Sequence, residues 1–165
     1  IGSALEVIAM AAGDRDTAGV IAPPPLIFLA FILLGAGLDW LWPAPFAPGW
    51  PRWAIGGALI ALALAIAAAA FLRFRSAGTD VRPHKPTTAL VTDGLFRFSR
   101  NPMYVAFAVL QAGIAVTSNS VWILAALLPA LVVIRFGVIA REERYLAAKF
   151  GREYLDYKAR VRRWL

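Results

Sequence analysis

Two short stretches of this chain carry residue types that do chemistry. The first is Arg97-Phe98-Ser99-Arg100-Asn101-Pro102-Met103-Tyr104. Asparagine caps helices and proline suits their first turn, so the stretch reads as the start of a helix. Arg100 then stands just outside a positive helix terminus, a place that attracts anions. A cap plus a charge that only orients the chain explains it too. The second stretch is Arg141-Glu142-Glu143-Arg144. On a helix, Arg135, Ile139 and then Glu142 or Glu143 follow at spacings that put Arg135 and one glutamate on the same face. A simple ion pair at a helix end accounts for that pattern equally well.

Few other groups compete. His84 is the sole histidine, and no carboxylate cluster with ligand spacing accompanies it, so no metal is expected. The absence of cysteine excludes disulfides, thiolate metal sites and cysteine nucleophiles. There is no Gly-x-Gly-x-x-Gly and no strand–helix alternation, so a nucleotide-like cofactor needs a site other than a Rossmann crevice. Gln111 and Arg135 lie inside apolar stretches and are the candidates for contacting a substrate. Ionisable residues at such depth are costly and usually functional or paired, although Arg135 can also snorkel to the interface. Asp39 lies near an apolar stretch's end. So few polar groups argue against an ion or proton transporter.

The elements that must position these residues follow from composition. Of 165 residues, 60% are apolar and 16% charged, whereas soluble chains run nearer half and a quarter. Four stretches are apolar enough for membrane helices: 25–42, 53–72, 103–116 and 121–140. Four prolines and a glycine turn the chain between the first two, with Trp40, Trp42, Trp50 and Trp53 around them as in an interfacial aromatic belt. Thr117-Ser118-Asn119-Ser120 is a tight polar turn between the last two. The net charge is +7, and the positive charges gather in the loop 73–102 and the tail 141–165. Both of these and both termini are therefore expected in the cytoplasm. The chain lacks the aromatic–basic interleaving of a base-stacking platform, so nucleic acid is not an expected partner.

In the tail, Leu146, Phe150, Tyr154, Tyr157 and Val161 form one helical stripe, interrupted by Gly151. One helix or two, lying on the bilayer or packing back as a lid, both fit. The expected fold is all-α and integral to the membrane, one domain over 1–165. Four transmembrane helices form two hairpins, 25–72 and 103–140, with a cytoplasmic loop and an amphipathic C-terminal helix. Residues 1–9 read as a non-native leader before a natural start at Met10, and are left out of functional reasoning.

The segment Thr88-Ala89-Leu90-Val91-Thr92-Asp93-Gly94-Leu95-Phe96, then Arg100-Asn101-Pro102-Met103-Tyr104, resembles the isoprenylcysteine carboxyl methyltransferase and phospholipid methyltransferase group. So do Glu142-Glu143, Phe150-Gly151, Tyr154, Tyr157 and the ending Val161-Arg162-Arg163-Trp164-Leu165. The resemblance covers the second half, about 85–165; its pieces are individually weak and jointly specific in their order. It implies S-adenosylmethionine as methyl donor, S-adenosylhomocysteine as product, and a lipophilic acceptor, such as the carboxylate of a prenylcysteine-like lipid. It implies catalytic roles for Arg100, Glu142 and Glu143. It also implies that the loop before the third helix, the end of the fourth and the tail enclose the cofactor. The cofactor contacts would then be His84, Leu90, Val91, Gly94, Phe96, Arg100, Asn101, Pro102, Tyr104, Glu142, Tyr154 and Tyr157. The prenylcysteine enzymes of this group carry histidine where Asn101 and Thr88 stand, a departure that leaves the acceptor open.

Methyl transfer from a sulfonium is a direct displacement that needs alignment and a dry site more than acid–base catalysis. Two other functions fit less of the pattern. An NADPH-dependent membrane reductase of lipids would need more helices and further basic contacts. A non-enzymatic scaffold would tolerate replacement of Arg100, Glu142 and Glu143.

Overall fold

The computed structural model describes residues 17–46, 51–80, 82 and 85–165. The expected leader over 1–9, Trp50 and His84 lie outside the described residues. The described residues are helical, without strands: α1 (Pro24–Leu41), α2 (Arg52–Ser76), a 3₁₀ turn (Gly94–Arg97), α3 (Pro102–Ser118), α4 (Val121–Phe150) and α5 (Arg152–Arg160).

Three helices, α1, α2 and α4, are long and apolar enough to cross a membrane. α1, with 18 residues, is about 27 Å long at 1.5 Å per residue, close to the hydrocarbon thickness. α3 is apolar but has 17 residues. Large apolar side chains such as Leu33, Leu62, Leu64 and Phe71 point outward, the reverse of a soluble protein and the arrangement expected when lipid is the solvent.

Small residues decide how the helices meet. The buried residues of α2 are Gly56, Ala63 and Ala70, one face repeating every seven positions. α2 lies antiparallel along α3. A Cβ on Gly56 would stand 2.8 Å from the Thr117 nitrogen and 2.9 Å from the Gly113 oxygen. A Cβ on Gly113 would stand 3.0 Å from the Ile60 nitrogen. Backbones that approach this closely gain dispersion contacts, which replace the hydrophobic drive that lipid removes. α1 packs chiefly on α4, not on its sequence neighbour α2. Here a Cβ on Gly35 would stand 2.6 Å from the Ile123 Cα.

The two tight connections meet at one end of the bundle. Asn119, at φ 56° in the left-handed region, ends α3, and its side-chain oxygen accepts from the Phe46 N–H at 3.1 Å. The Trp122 indole donates to the Trp42 carbonyl at 2.7 Å, and Asp39 accepts from Ala44 N–H at 3.3 Å. Trp40, Trp42 and Trp53 are exposed at this end, as an aromatic belt requires.

Two expected boundaries move. α2 continues past 72 to Ser76. The last apolar stretch, expected to end at 140, continues as helix to Phe150, so Glu142 and Glu143 share a helix with Arg135 as their spacing assumed. Within α4 the ladder is interrupted at Ala126, where Pro129 lacks the N–H for the turn before it. Ile134–Ile139 is π-helical. Tighter spacing does not survive a π segment, and the structure leaves Arg135 exposed with its guanidinium over Phe136 rather than beside either glutamate.

Replacing Gly56 by valine should push α2 off α3 and cost about 1–3 kcal/mol, read as a lower unfolding temperature in detergent. Gly57 faces open space, so valine there should stay within about 0.5 kcal/mol of the parent. Equal effects at both positions would contradict the packing described.

Candidate functional site

The site lies where α3 starts, at the end of the bundle away from the tight turns. Asn101 occupies the position before α3 but does not cap it with its side chain. Its amide instead donates to the Arg163 carbonyl at 2.9 Å, while the Arg100 N–H donates to the Arg162 carbonyl at 2.9 Å. The last residues of the chain are thereby tied across the start of α3.

α5 folds back because Gly151, at φ 51°, reverses the chain after α4. The expected stripe is the reason. Tyr154 and Tyr157 are buried against Ala70, Val91 and Phe96, with Leu146, Phe150 and Val161 beside them. The structure therefore makes two helices of the tail and packs its stripe on the protein rather than on the bilayer. The Tyr157 hydroxyl donates to the Phe96 carbonyl at 2.7 Å. Burial pushes both phenols up, Tyr154 to about 12, with the Glu143 charge adding and the Arg100 charge opposing.

The loop between α2 and α3 is fastened by its own side chains. The Thr88 N–H donates to the Thr79 hydroxyl at 3.0 Å, and the Thr87 N–H donates to the Tyr145 hydroxyl on α4 at 3.1 Å. Asp80 pairs with Arg82 at 2.7 Å, and that guanidinium holds its carboxyl well below the usual carboxylate range. Gly94 lies against the side chain of Arg73, which pairs with Asp93.

These elements enclose a cavity of about 390 Å³. That lies within the range of about 300–1,000 Å³ usual for small-molecule sites. Of the residues expected from sequence, Leu90, Val91, Phe96, Arg100, Asn101, Pro102, Tyr104, Glu142, Glu143, Tyr154 and Tyr157 line it. Gly94 shapes the loop instead and does not line the cavity. The two expected substrate contacts are elsewhere. Gln111 is fully buried and donates to the Ile123 carbonyl at 3.1 Å, joining α3 to α4. Arg135 faces outward.

The polar groups of the cavity form two connected units. The Tyr104 hydroxyl donates to Glu142 at 2.6 Å. Glu143 is approached by three cations: Arg163 through two bonds of 2.7 and 2.9 Å, Arg100 at 3.3 Å and Lys158 at 3.4 Å. The Arg100 side chain is only 9% exposed, yet its Nε and Nη1 have no hydrogen-bond partner among the described residues. Buried donors are normally satisfied, so such an orphaned pair asks for an acceptor from beyond the described residues.

Sequence reasoning missed Arg163 and Lys158 as site residues, because their charges served equally to orient the chain. It also missed Asp80, Arg82 and Tyr145, and the wall formed by Pro23, Pro24 and Pro25. That wall is held by the Ile21 N–H, which donates to the Gly137 carbonyl at 3.3 Å, inside the π-helical segment. No local spacing announces a contact of that kind.

An all-helical, membrane-type chain that closes an apolar cavity around orphaned guanidinium nitrogens is the class these features define. The chain belongs to the phospholipid methyltransferase family, whose model matches residues 51–153, more than half of its length. It is 38% identical over 74 residues to protein-S-isoprenylcysteine O-methyltransferase B of Arabidopsis thaliana, covering 44% of this chain and 36% of that one. It is 60% identical over 35 residues to an uncharacterized protein of Haemophilus influenzae, covering 21% of this chain and 56% of that one. The chain thus spans about half or less of these relatives' own lengths. No solved structure matches it.

Tyr157→Phe should leave the Phe96 carbonyl without its donor and lower stability by about 1–3 kcal/mol. Deprotonating Tyr154 is harder in the folded chain than in the unfolded one. Stability is therefore present below pH 10 and should fall as pH rises from 10 towards about 12. Alkaline thermal melts should show this fall, and Tyr154→Phe should flatten it.

Proposed function

We propose that this protein is a membrane methyltransferase that uses S-adenosylmethionine and acts on a lipophilic acceptor. The observation that carries the reading is Arg100, buried at the cavity wall with two guanidinium nitrogens lacking acceptors among the described residues. Family membership and the partial likeness to a protein-S-isoprenylcysteine O-methyltransferase support it. The cavity residues fit the donor. Bound S-adenosylmethionine supplies an electrophilic methyl group on a positively charged sulfur.

Each residue has a role in this reading. Arg100 holds a carboxylate by charge-assisted hydrogen bonds. Glu142 lines the cavity as an acceptor fixed by Tyr104. Tyr154 and Tyr157 close the cavity from the tail and exclude water, which strengthens each of these interactions. A carboxylate acceptor is already a nucleophile and needs no base. Its lipid part would lie along Pro24, Met103 and Phe107, the apolar lining from α1 and α3.

The proposed topology has four spans, with α3 as the shortest, and places the cavity at the cytoplasmic face together with both termini. The charges support it: Arg97, Arg144, Lys149, Arg152 and Arg160 crowd the cavity end, and Arg52 stands near the other.

Calorimetry on detergent-purified protein tests the reading. S-Adenosylhomocysteine should bind with a constant on the order of micromolar, within the usual span for enzyme ligands. Arg100→Ala should weaken it about tenfold or more, which is about 1.4 kcal/mol. NADPH should not bind. Folded protein that binds NADPH and ignores S-adenosylhomocysteine would overturn the proposal.

A further inference from the structure

We infer that Arg163, third from the end of the printed sequence, is a positioning residue that keeps Arg100 available to a ligand carboxylate by occupying Glu143. This rests on the methyl-donor reading above; Arg163 lies in the final stretch that carries the resemblance, which gave it no role.

The argument is one of shared acceptors. Arg100 and Glu143 are both buried and adjacent, and an arginine beside a carboxylate ordinarily closes a two-bond fork on it. Here that fork belongs to Arg163, whose Nε takes one Glu143 oxygen at 2.7 Å and whose Nη2 takes the other at 2.9 Å. Lys158 adds a third cation to the same carboxylate at 3.4 Å. Arg100 reaches Glu143 only through Nη2 at 3.3 Å, longer than the 2.7–2.9 Å of a charge-assisted bond, and its side chain also bonds to Tyr154. Its Nε and Nη1 stay without acceptors among the described residues.

Arg163 is itself held in place. Its carbonyl accepts from Asn101 at 2.9 Å and from Ser99 at 3.4 Å, and the neighbouring Trp164 packs on the cluster of Ile27, Phe28 and Tyr104. The start of α3 thus fixes the residue that fixes Glu143. Without the Arg163 guanidinium, Glu143 is released to close its fork on Arg100, and the nitrogens that would receive a ligand are consumed internally.

The ligand carboxylate has two possible sources, the amino-acid end of the methyl donor or a carboxylate on the acceptor. The test compares wild type, Arg163→Ala and Arg163→Lys, with folding checked by thermal melts. Each is titrated with S-adenosylhomocysteine and with 5′-methylthioadenosine, which keeps the adenosine and sulfur but lacks the carboxylate. If the donor supplies the carboxylate, Arg163→Ala weakens S-adenosylhomocysteine at least tenfold and changes 5′-methylthioadenosine less than twofold. Lysine at 163 restores part of the difference. If the acceptor supplies it, both nucleosides bind Arg163→Ala as they bind wild type, and KM for a prenylcysteine carboxylate rises at least tenfold with kcat held. Equal weakening of both nucleosides would show a merely structural residue and overturn the inference, as would unchanged binding with unchanged KM. Wild-type protein that binds neither nucleoside would overturn the methyl-donor reading, and this inference with it.

Discussion

Glu143 gathers three cationic side chains around one carboxylate at the end of a membrane-type helix bundle, and the site takes its shape from that cluster. Each partner comes from a different element: Arg100 from the approach to α3, Lys158 from α5 and Arg163 from the final residues. The pairing therefore fixes three separate stretches of chain at once. It also explains how an arginine can be buried at all. Removing the counter-charge from a buried pair costs on the order of 3–5 kcal/mol, so Arg100 depends on Glu143 for its place. Because Glu143 is shared, Arg100 is neutralised without being saturated.

The rest of the architecture supplies a rigid frame in a solvent that gives helices little reason to associate. Glycines at 35, 56 and 113 let backbones touch, and Gln111 bridges α3 to α4 inside the bundle. The result sets the spacing between the starts of α1 and α3 and the late turns of α4, which together wall the cavity. The π-helical turn of α4 is part of this frame. It changes the face presented after Ile139, so that Glu142 and Glu143 meet the cavity while Arg135 does not.

Much of this was legible from local pattern. Apolar runs located the helices, Pro102 marked the start of α3, and the stripe from Leu146 to Val161 correctly named the side of the tail that is buried. Arg100, Glu142 and Glu143 stood out because carboxylates and arginines beside apolar runs need a reason. What the pattern could not supply was tertiary. Whether the stripe would rest on lipid or protein depends on Gly151 turning the chain back over α2 and α3. Arg163 and Glu143 meet only through that turn, twenty positions apart. Asn101 was readable as a helix start, yet its side chain is drawn off the cap by a carbonyl sixty-two positions away. Gln111 looked like a functional group because polar residues in lipid usually are; its amide nitrogen ties α3 to α4, while its Oε1 is buried with no partner among the described residues.

The most direct measurement is an experimental structure of the protein in lipid with S-adenosylhomocysteine bound. The account predicts the ligand inside the cavity between the start of α3, the end of α4 and α5, in contact with the side chains of Glu142 and Tyr104, with the Arg163 fork on Glu143 intact. A ligand bound elsewhere on the chain, or a cavity collapsed by a closed Arg100–Glu143 fork, would contradict it.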